Sequence, residues 1–341
     1  MKVLFASEKS VHLSNYCKAI RSYIDEIVLI TELQFDLEEV NKSYVINFRN
    51  VNPFLIFKRI NELRKIIFEE KPDVIHLHQI NRLAFYVSLA NYKTGIPIIT
   101  TAWGSDVLLV PNRNFIFKMF TTYVLKRSKI VTADAYIMID AMMKLVNQKE
   151  KYVHLQYGID NVKPAEKQNI IYSNRLHRPL YNIEKIVKDF YKFSKTHNDW
   201  MLHIAGSDVE TDTLKKLVNQ YGINSKVKFL GWLGKEDNNH QYAISKIYVS
   251  IPSSDGTSVS LLEAMSADCI PVVSDLPVSH EWIKDGVNGV IRKADKNPFE
   301  EALKLNVEEC FKINRDKINT GVSRTFTTKK FYELYQDLLT N

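Results

Sequence analysis

A carboxylate, a glycine, a run of hydroxyls and a second carboxylate follow one another in Asp255-Gly256-Thr257-Ser258-Val259-Ser260-Leu261-Leu262-Glu263-Ala264-Met265, with seven residues between Asp255 and Glu263. The apolar spacing after Ser258 is helical, so the backbone N–H groups of Ser258, Val259 and Ser260 open a helix and find no partners inside it. Unpaired amides and the macrodipole make such a turn an anion site, and small side chains let a phosphate approach closely. Glu263 falls about one turn in. Helical side chains lean toward the N-terminus, so its carboxylate can accept hydroxyl hydrogen bonds beside that anion, as a ribose would offer. Plainer readings stand beside this one: Ser260-x-x-Glu263 matches a capping box, and Asp255-Gly256 alone is a turn. It is the ordered combination that points to a phosphorylated, hydroxyl-bearing ligand.

Elements must hold these residues in place. Short β-branched runs alternate with amphipathic stretches of helical period, the pattern of parallel sheets with helices on both faces. Strands are expected near Val3–Ala6, Ile27–Ile30, Val45–Phe48, Val74–Leu77, Ile98–Thr101, Ile130–Ala133 and Val153–Gln156. A second series follows near Ile170–Ser173, Met201–Ile204, Val227–Leu230, Ile247–Ile251, Pro271–Ser274 and Gly289–Ile291. Helix Ile56–Glu70 is stopped by Lys71-Pro72-Asp73. The polar stretch Asn161–Lys167 breaks both periodicities and reads as a linker. The fold class is therefore α/β, with an N-terminal Rossmann-like domain over 1–164 and a second over 165–325, doubly wound and facing each other across a cleft. An amphipathic helix, Thr327–Leu339, closes the chain within 326–341. A length of 341 residues suits two such domains.

Composition excludes several classes. The 45% hydrophobic and 25% charged content belongs to a folded chain. Cys17, Cys269 and Cys310 are scattered, odd in number and without C-x-x-C spacing, which supports neither a disulfide framework nor a zinc site and fits a reducing cytosol. No run of about 18 apolar residues occurs, so a soluble or peripheral protein is expected. Up to Pro164 there are 22 Lys/Arg against 16 Asp/Glu, so +6 of the net +7 lies in the first half. No nucleic-acid module is present, which leaves an anionic substrate or a membrane surface.

The frame Asp255…Glu263-Ala264-Met265-Ser266 resembles the donor site of the family 4 retaining glycosyltransferases, in which two acidic residues are separated by seven others. More of that pattern follows in Ile270-Pro271-Val272-Val273-Ser274-Asp275 and Glu281–Gly289. Upstream, Ala205-Gly206-Ser207-Asp208 and Phe229-Leu230-Gly231-Trp232 are similar to its glycine loop and base-edge loop, though Trp232 is equally a core or surface aromatic. The resemblance implies a GT-B fold, a nucleotide-sugar donor, an Asp255 that faces the transferred sugar and a Glu263 that holds the ribose. Gly206, Gly256, Thr257, Ser258, Val259 and Ser260 would line the donor. Asp255 stands where the family usually has glutamate, one methylene longer.

In Ser173-Asn174-Arg175-Leu176-His177-Arg178, Arg175 matches the family's arginine on the leaving phosphates. The usual lysine is missing and Tyr181-Asn182 takes its place, with Arg178 as a candidate substitute or a solvated arginine. Fixed, permanently charged forks suit a diphosphate whose charge grows as the sugar leaves. In the first half, Thr101-Ala102-Trp103-Gly104-Ser105-Asp106 resembles T-x-H-G-x-D with Trp103 replacing the histidine. Gly104 and Asp106 remain acceptor-side candidates, Asp106 being equally a cap for a helix from Val107. His12 is an acceptor contact or a structural histidine. Gln156-Tyr157-Gly158-Ile159-Asp160 is like the segment that closes the family's first domain.

No D-x-D triplet occurs, so the resemblance implies metal-independent transfer of a hexosyl or N-acetylhexosaminyl group from a UDP-sugar to a glycan or lipid-linked saccharide, with no cofactor, no metal and no nucleic acid. Bacterial surface polysaccharide synthesis is the expected setting, in the cytoplasm and peripherally on the inner face of the membrane. Arg113–Arg127 mixes aromatics with cations, as helices on anionic membranes do, although its apolar residues are also candidates for core. The rival readings are a GT-B epimerase or phosphorylase and a non-catalytic sugar-nucleotide-binding subunit. A nicotinamide oxidoreductase is disfavoured, since no G-x-G-x-x-G follows a predicted strand.

Overall fold

A computed structural model of the chain describes residues 1–48 and 52–340; Asn341, the last residue of the expected terminal segment, lies outside them. The chain divides into two compact units, Met1–Gly158 with the segment from Arg324, and Ile159–Ser323. The chain from Ile159 through the polar stretch 161–167 is fastened within the second unit: Ile159 N donates to Val322 O at 2.9 Å and Ala165 N to Ala243 O at 3.1 Å.

The first unit holds a seven-stranded sheet in the order β3-β2-β1-β4-β5-β6-β7. Its strands are β1 (Lys2–Ala6), β2 (Glu26–Thr31), β3 (Lys42–Val45), β4 (Val74–His78), β5 (Ile98–Thr101), β6 (Ile130–Ala133) and β7 (Tyr152–His154). Every pairing is parallel, with Phe5 beside Leu29 on one side and His76 on the other. The expected strand Val45–Phe48 is displaced. The edge strand is the polar run Lys42–Val45, which needs no apolar alternation, and the buried Ile46 and Phe48 come after it. Helix Val11–Ile20 and the terminal helix Arg324–Thr340 cover one face through Leu13, Tyr16, Phe331 and Tyr335. Helices Pro53–Glu70, Arg82–Ala90 and Phe115–Arg127 pack side by side in another layer.

The second unit holds a six-stranded sheet ordered β10-β9-β8-β11-β12-β13. Its strands are β8 (Gln168–Ser173), β9 (Met201–Ala205), β10 (Val227–Gly231), β11 (Ser245–Ser250), β12 (Ile270–Val273) and β13 (Val290–Ile291). The two-residue period divides its core. Ile171, Ile247 and Val249 join Phe190, Phe193 and Phe299 in one cluster, while Tyr172 and Tyr248 join Leu262 and Met265 in another. Each such side chain contributes about 1.5–3 kcal/mol on burial. Both sheets reverse strand order once, at β1/β4 and at β8/β11, and the crevice of an open parallel sheet lies beyond the carboxyl ends of the strands at that reversal.

Candidate active site

The reversal at β8/β11 places two loops side by side: Asn174–Arg178 after β8 and Ile251–Ser258 after β11. Arg175 leaves the first and reaches into the second. Its Nη1 donates to Ser258 Oγ at 2.7 Å and its Nη2 to Asp255 Oδ2 at 2.8 Å. Burial works to lower the Arg175 pKa, but Asp255 with Tyr248 and Tyr181 holds it raised. Burial raises the Asp255 pKa, against the pull of Arg175 and the Gly256 N–H. The contact is a charge-assisted hydrogen bond in a partly enclosed setting.

Ser258 is the N-cap of helix Val259–Ser266, and its side chain makes no cap bond because Arg175 has it. The capping box with Ser260 does not form, since Ser260 is the helix's second residue and its hydroxyl meets Tyr242 and Tyr248. The amides of the first turn therefore carry their partial positive charge beside Arg175. Glu263, half-buried, sits one turn in; burial raises the pKa values of Tyr172, Tyr242 and Tyr248, and the charge of Glu263 adds to that. Thr257 is buried and accepts from Trp282 Nε1 at 3.1 Å, which fixes the loop ahead of the helix. A pocket beside Asp255 and Gly256 reaches Leu261, Val273 and Trp282.

Sequence reasoning missed the latch between the two loops. Of Tyr181 and Asn182, where the family pattern has lysine, the first is a structural partner of Arg175 and the second of the loop after β11. The Arg175 guanidinium lies 4.5 Å from the centre of the Tyr181 ring. Asn182, in the left-handed region at φ 53°, donates through Nδ2 to Ile251 O and Ser253 Oγ, each at 2.9 Å. Ser253 N in turn donates to Leu180 O at 2.8 Å. The signal was present: an asparagine after Pro-x-Tyr is a residue type that tolerates this turn.

The remaining donor-side candidates are spread around the same sheet end. Gly206, at φ 91°, brings β9's loop against the Arg175 backbone so closely that a Cβ would lie 2.8 Å from Arg175 O. Arg178 is not with Arg175; its guanidinium pairs with Asp208 and is half exposed. Trp232 is 72% exposed just past β10, which removes the core reading.

In the first unit the reversal at β1/β4 is lined by aromatics. His12 is exposed at a helix start, its ring 5.5 Å from that of Trp103 and 6.4 Å from that of Tyr157. Trp103 Nε1 donates to the Tyr157 hydroxyl at 2.9 Å, and His78 Nδ1 lies 3.2 Å from the same oxygen. Burial pushes the His78 pKa down to about 3, so its ring is neutral. His76 and His78 went unnoticed in the sequence, although two histidines two apart on a central strand must share one face. Gly104 turns at φ 105° and is itself the N-cap of the short helix Ser105–Leu108, so Asp106 lies inside that helix rather than capping one at Val107. The Asp106 carboxylate is buried and accepts from Ile80 N at 2.8 Å and Trp103 N at 3.0 Å, tying the loops after β4 and β5 together.

Residues 159–315 match the family described as Glycosyl transferases group 1, and residues 2–135 match Glycosyl transferase 4-like. The chain belongs to the group 1 glycosyltransferases of family 4. The enzyme is 26% identical over 206 residues to the O-antigen chain mannosyltransferase RfbU of Salmonella typhimurium, a match spanning 58% of this chain and 57% of that one. It is 24% identical over 285 residues to a GDP-mannose:cellobiosyl-diphosphopolyprenol alpha-mannosyltransferase of Xanthomonas oryzae pv. oryzae, with 78% and 74% covered. Among solved structures it resembles a glycosyltransferase from Rickettsia africae, with a TM-score of 0.83, 17% identity and 100% and 99% of the two chains covered. It also resembles HepE of Anabaena, solved with UDP and glucose, with a TM-score of 0.78, 13% identity and the same coverage. At those identities the likeness speaks for the GT-B fold of this glycosyltransferase.

Proposed function

We propose that this enzyme is a retaining, metal-independent glycosyltransferase that moves a hexosyl or N-acetylhexosaminyl group from a nucleoside diphosphate sugar to a glycan or lipid-linked saccharide. The observation that carries the reading is the convergence of Arg175, Asp255 and the opening turn of helix Val259–Ser266, with Glu263 one turn in. A guanidinium and a helix N-terminus aimed at one point form a preorganised electrostatic site for a diphosphate leaving group. Asp255 faces the sugar, Glu263 takes the ribose hydroxyls, and exposed Trp232 meets the base edge. Gly206 lets the backbone approach. Arg178, held by Asp208, is a second cation for the phosphates only if that ion pair opens.

In the reaction the bond between the anomeric carbon and the phosphate oxygen breaks, and an acceptor oxygen bonds to that carbon from the same face. The acceptor's proton passes to the departing phosphate. His12 and the loop from Gly104 to Asp106 lie on the acceptor side, where Asp106 supports the loop. A UDP-sugar is the first donor to test, because the structural relative HepE was solved with UDP-glucose. GDP-mannose is the second, from the name of the Xanthomonas relative. The names of two Salmonella typhimurium relatives, an O-antigen chain mannosyltransferase and a lipopolysaccharide 1,6-galactosyltransferase, support bacterial surface polysaccharide as the product, and we place that work in the cytoplasm at the inner face of a membrane.

Thermal unfolding in a panel of nucleotide sugars tests the reading, since a ligand that binds only the native form raises the transition temperature. Stabilisation by one or more nucleoside diphosphate sugars, lost in Arg175→Ala, is expected. No stabilisation by any member of the panel would defeat the proposed donor site.

A further inference from the structure

The layer formed by helices Pro53–Glu70, Arg82–Ala90 and Phe115–Arg127 has an outer face that nothing in the donor or acceptor chemistry uses. Helix Pro53–Glu70 buries Ile60, Leu63, Ile66 and Ile67. At 100° per residue, Phe54, Phe57 and Phe68 fall on the opposite side, and they are 77%, 61% and 73% exposed. Helix Phe115–Arg127 repeats the arrangement: Thr121, Val124 and Leu125 are buried, while Phe115, Ile116 and Met119 stand in solvent. The core reading of its apolar residues thus holds for its second half and fails for its first. Scattered exposed apolar residues are ordinary, but exposed aromatics on both of the helices that flank Arg82–Ala90 in one layer are not.

Charge selects the occupant. Lys58 and Lys65 flank the first stripe, and Lys118 and Lys126 the second, all exposed. No Asp or Glu occurs in residues 40–61 or 107–133. Glu62 and Glu69 are exposed on the same outer side beside the lysines, and Glu69 is 3.7 Å from Lys65. At the foot of that helix a recess of about 860 Å³ is lined by Arg64, Lys65, Phe68, Lys71 and Lys93 and by no carboxylate. Two copies packed through this face would bring lysines against lysines, whereas aromatics among cations suit the headgroup region of an anionic bilayer. Among the described residues no helix is long and apolar enough to cross a membrane.

We propose that this outer face docks the enzyme on an anionic phospholipid bilayer, with Phe54, Phe57, Phe115 and Ile116 inserted among the acyl chains and the recess taking a lipid phosphate. The proposal deepens the lipid-linked acceptor reading and rests on it for its purpose, but the binding itself is physical and can be measured without any transfer.

Co-sedimentation of the full chain with phosphatidylcholine vesicles, with and without phosphatidylglycerol, is the test. Binding to the anionic vesicles at low salt is expected, falling as salt rises because the Debye length shrinks. Each of Lys58→Gln, Lys65→Gln and Lys118→Gln should lower partitioning on the order of fivefold, and Phe54→Ser with Phe115→Ser should abolish it. All these positions are exposed and in the unit that does not carry Arg175, so stabilisation by a nucleotide sugar should persist in each variant and shows that it is folded. Absence of binding to anionic vesicles, binding indifferent to lipid charge, or unchanged partitioning of the double phenylalanine variant overturns the proposal. So does a concentration-dependent dimer that the same variant dissolves. Vesicle binding without any donor stabilisation would leave the docking face standing and remove the donor reading instead.

Discussion

Arg175 and Asp255, 80 residues apart in the chain, meet at 2.8 Å where the loops after β8 and β11 converge on a helix N-terminus. The fork also holds Ser258 at 2.7 Å, so one planar group orders the whole entrance to the helix. Arg175→Ala should lower kcat on the order of 10²–10³-fold, the range for loss of one preorganised donor. Lysine offers one compact charge and cannot bridge two acceptors in the same way, so Arg175→Lys should restore little. Glu263→Ala should abolish donor stabilisation while the chain stays folded by circular dichroism. Full transfer by either alanine variant would remove the site.

Tyr181 stacks on the same guanidinium at 4.5 Å, and acting through Arg175 makes it a positioning residue. A cation–π contact contributes about 0.5–2 kcal/mol, so Tyr181→Ala should slow transfer by about 2- to 30-fold. Tyr181→Phe keeps the ring face and should recover most of the rate. Initial rates over a range of donor concentrations separate the outcomes: equal loss in the phenylalanine and alanine variants would assign the effect to the hydroxyl instead.

Gly206 isolates a steric relationship. A Cβ there meets Arg175 O at 2.8 Å and the backbone sits at φ 91°, whereas Gly222 shares the positive φ, at 66°, with nothing within 4 Å. Alanine at either position adds strain of about 1–3 kcal/mol. Only Gly206→Ala should also weaken donor binding, by pushing the Arg175 loop away from Asp255. Equal donor affinity in the two variants at matched stability would contradict the close approach.

Much of this was legible in the sequence because parallel strands buried on both faces are nearly continuous apolar runs, and Val3–Ala6, Val74–Leu77 and Ile98–Thr101 read as such. The edge strand was not, since Lys42–Val45 has one face to cover and announces little. The spacing of Asp255 and Glu263 located the helix entrance, because the turn and the helix are local. The Asn182 contacts across the two loops and the His78–Tyr157–Trp103 chain were hidden for the opposite reason: their partners lie 54 to 79 residues away and only the strand order brings them together. The exposed Phe54 and Phe57 were missed because a helix with one good apolar face invites no search for a second.

Transfer should be unaffected by excess chelator, since the diphosphate is assigned to Arg175 and to helix amides, which need no divalent ion to present positive charge. Donor turnover measured with and without chelator checks this. Loss of activity that manganese or magnesium alone restores would assign the phosphates to a metal.

Asp106 offers a pH-dependence with a definite sign. Burial pushes its pKa up to about 6 from 3.8, although the amides of Ile80, Trp103 and Gly104 favour the ionised form. Between those values the folded chain keeps the proton while the unfolded chain has lost it. Stability from this group is therefore complete below about pH 3.8 and declines as pH rises to about 6, by about 3 kcal/mol for a shift of this size. Asp106→Asn cannot titrate. The difference in unfolding free energy between the parent chain and this variant, measured in urea from pH 4 to pH 7, should fall with rising pH and then level off. A difference that instead grows with pH would mean that the amide hydrogen bonds outweigh burial and that the carboxylate is charged throughout, which would make the loop clamp an ionic one.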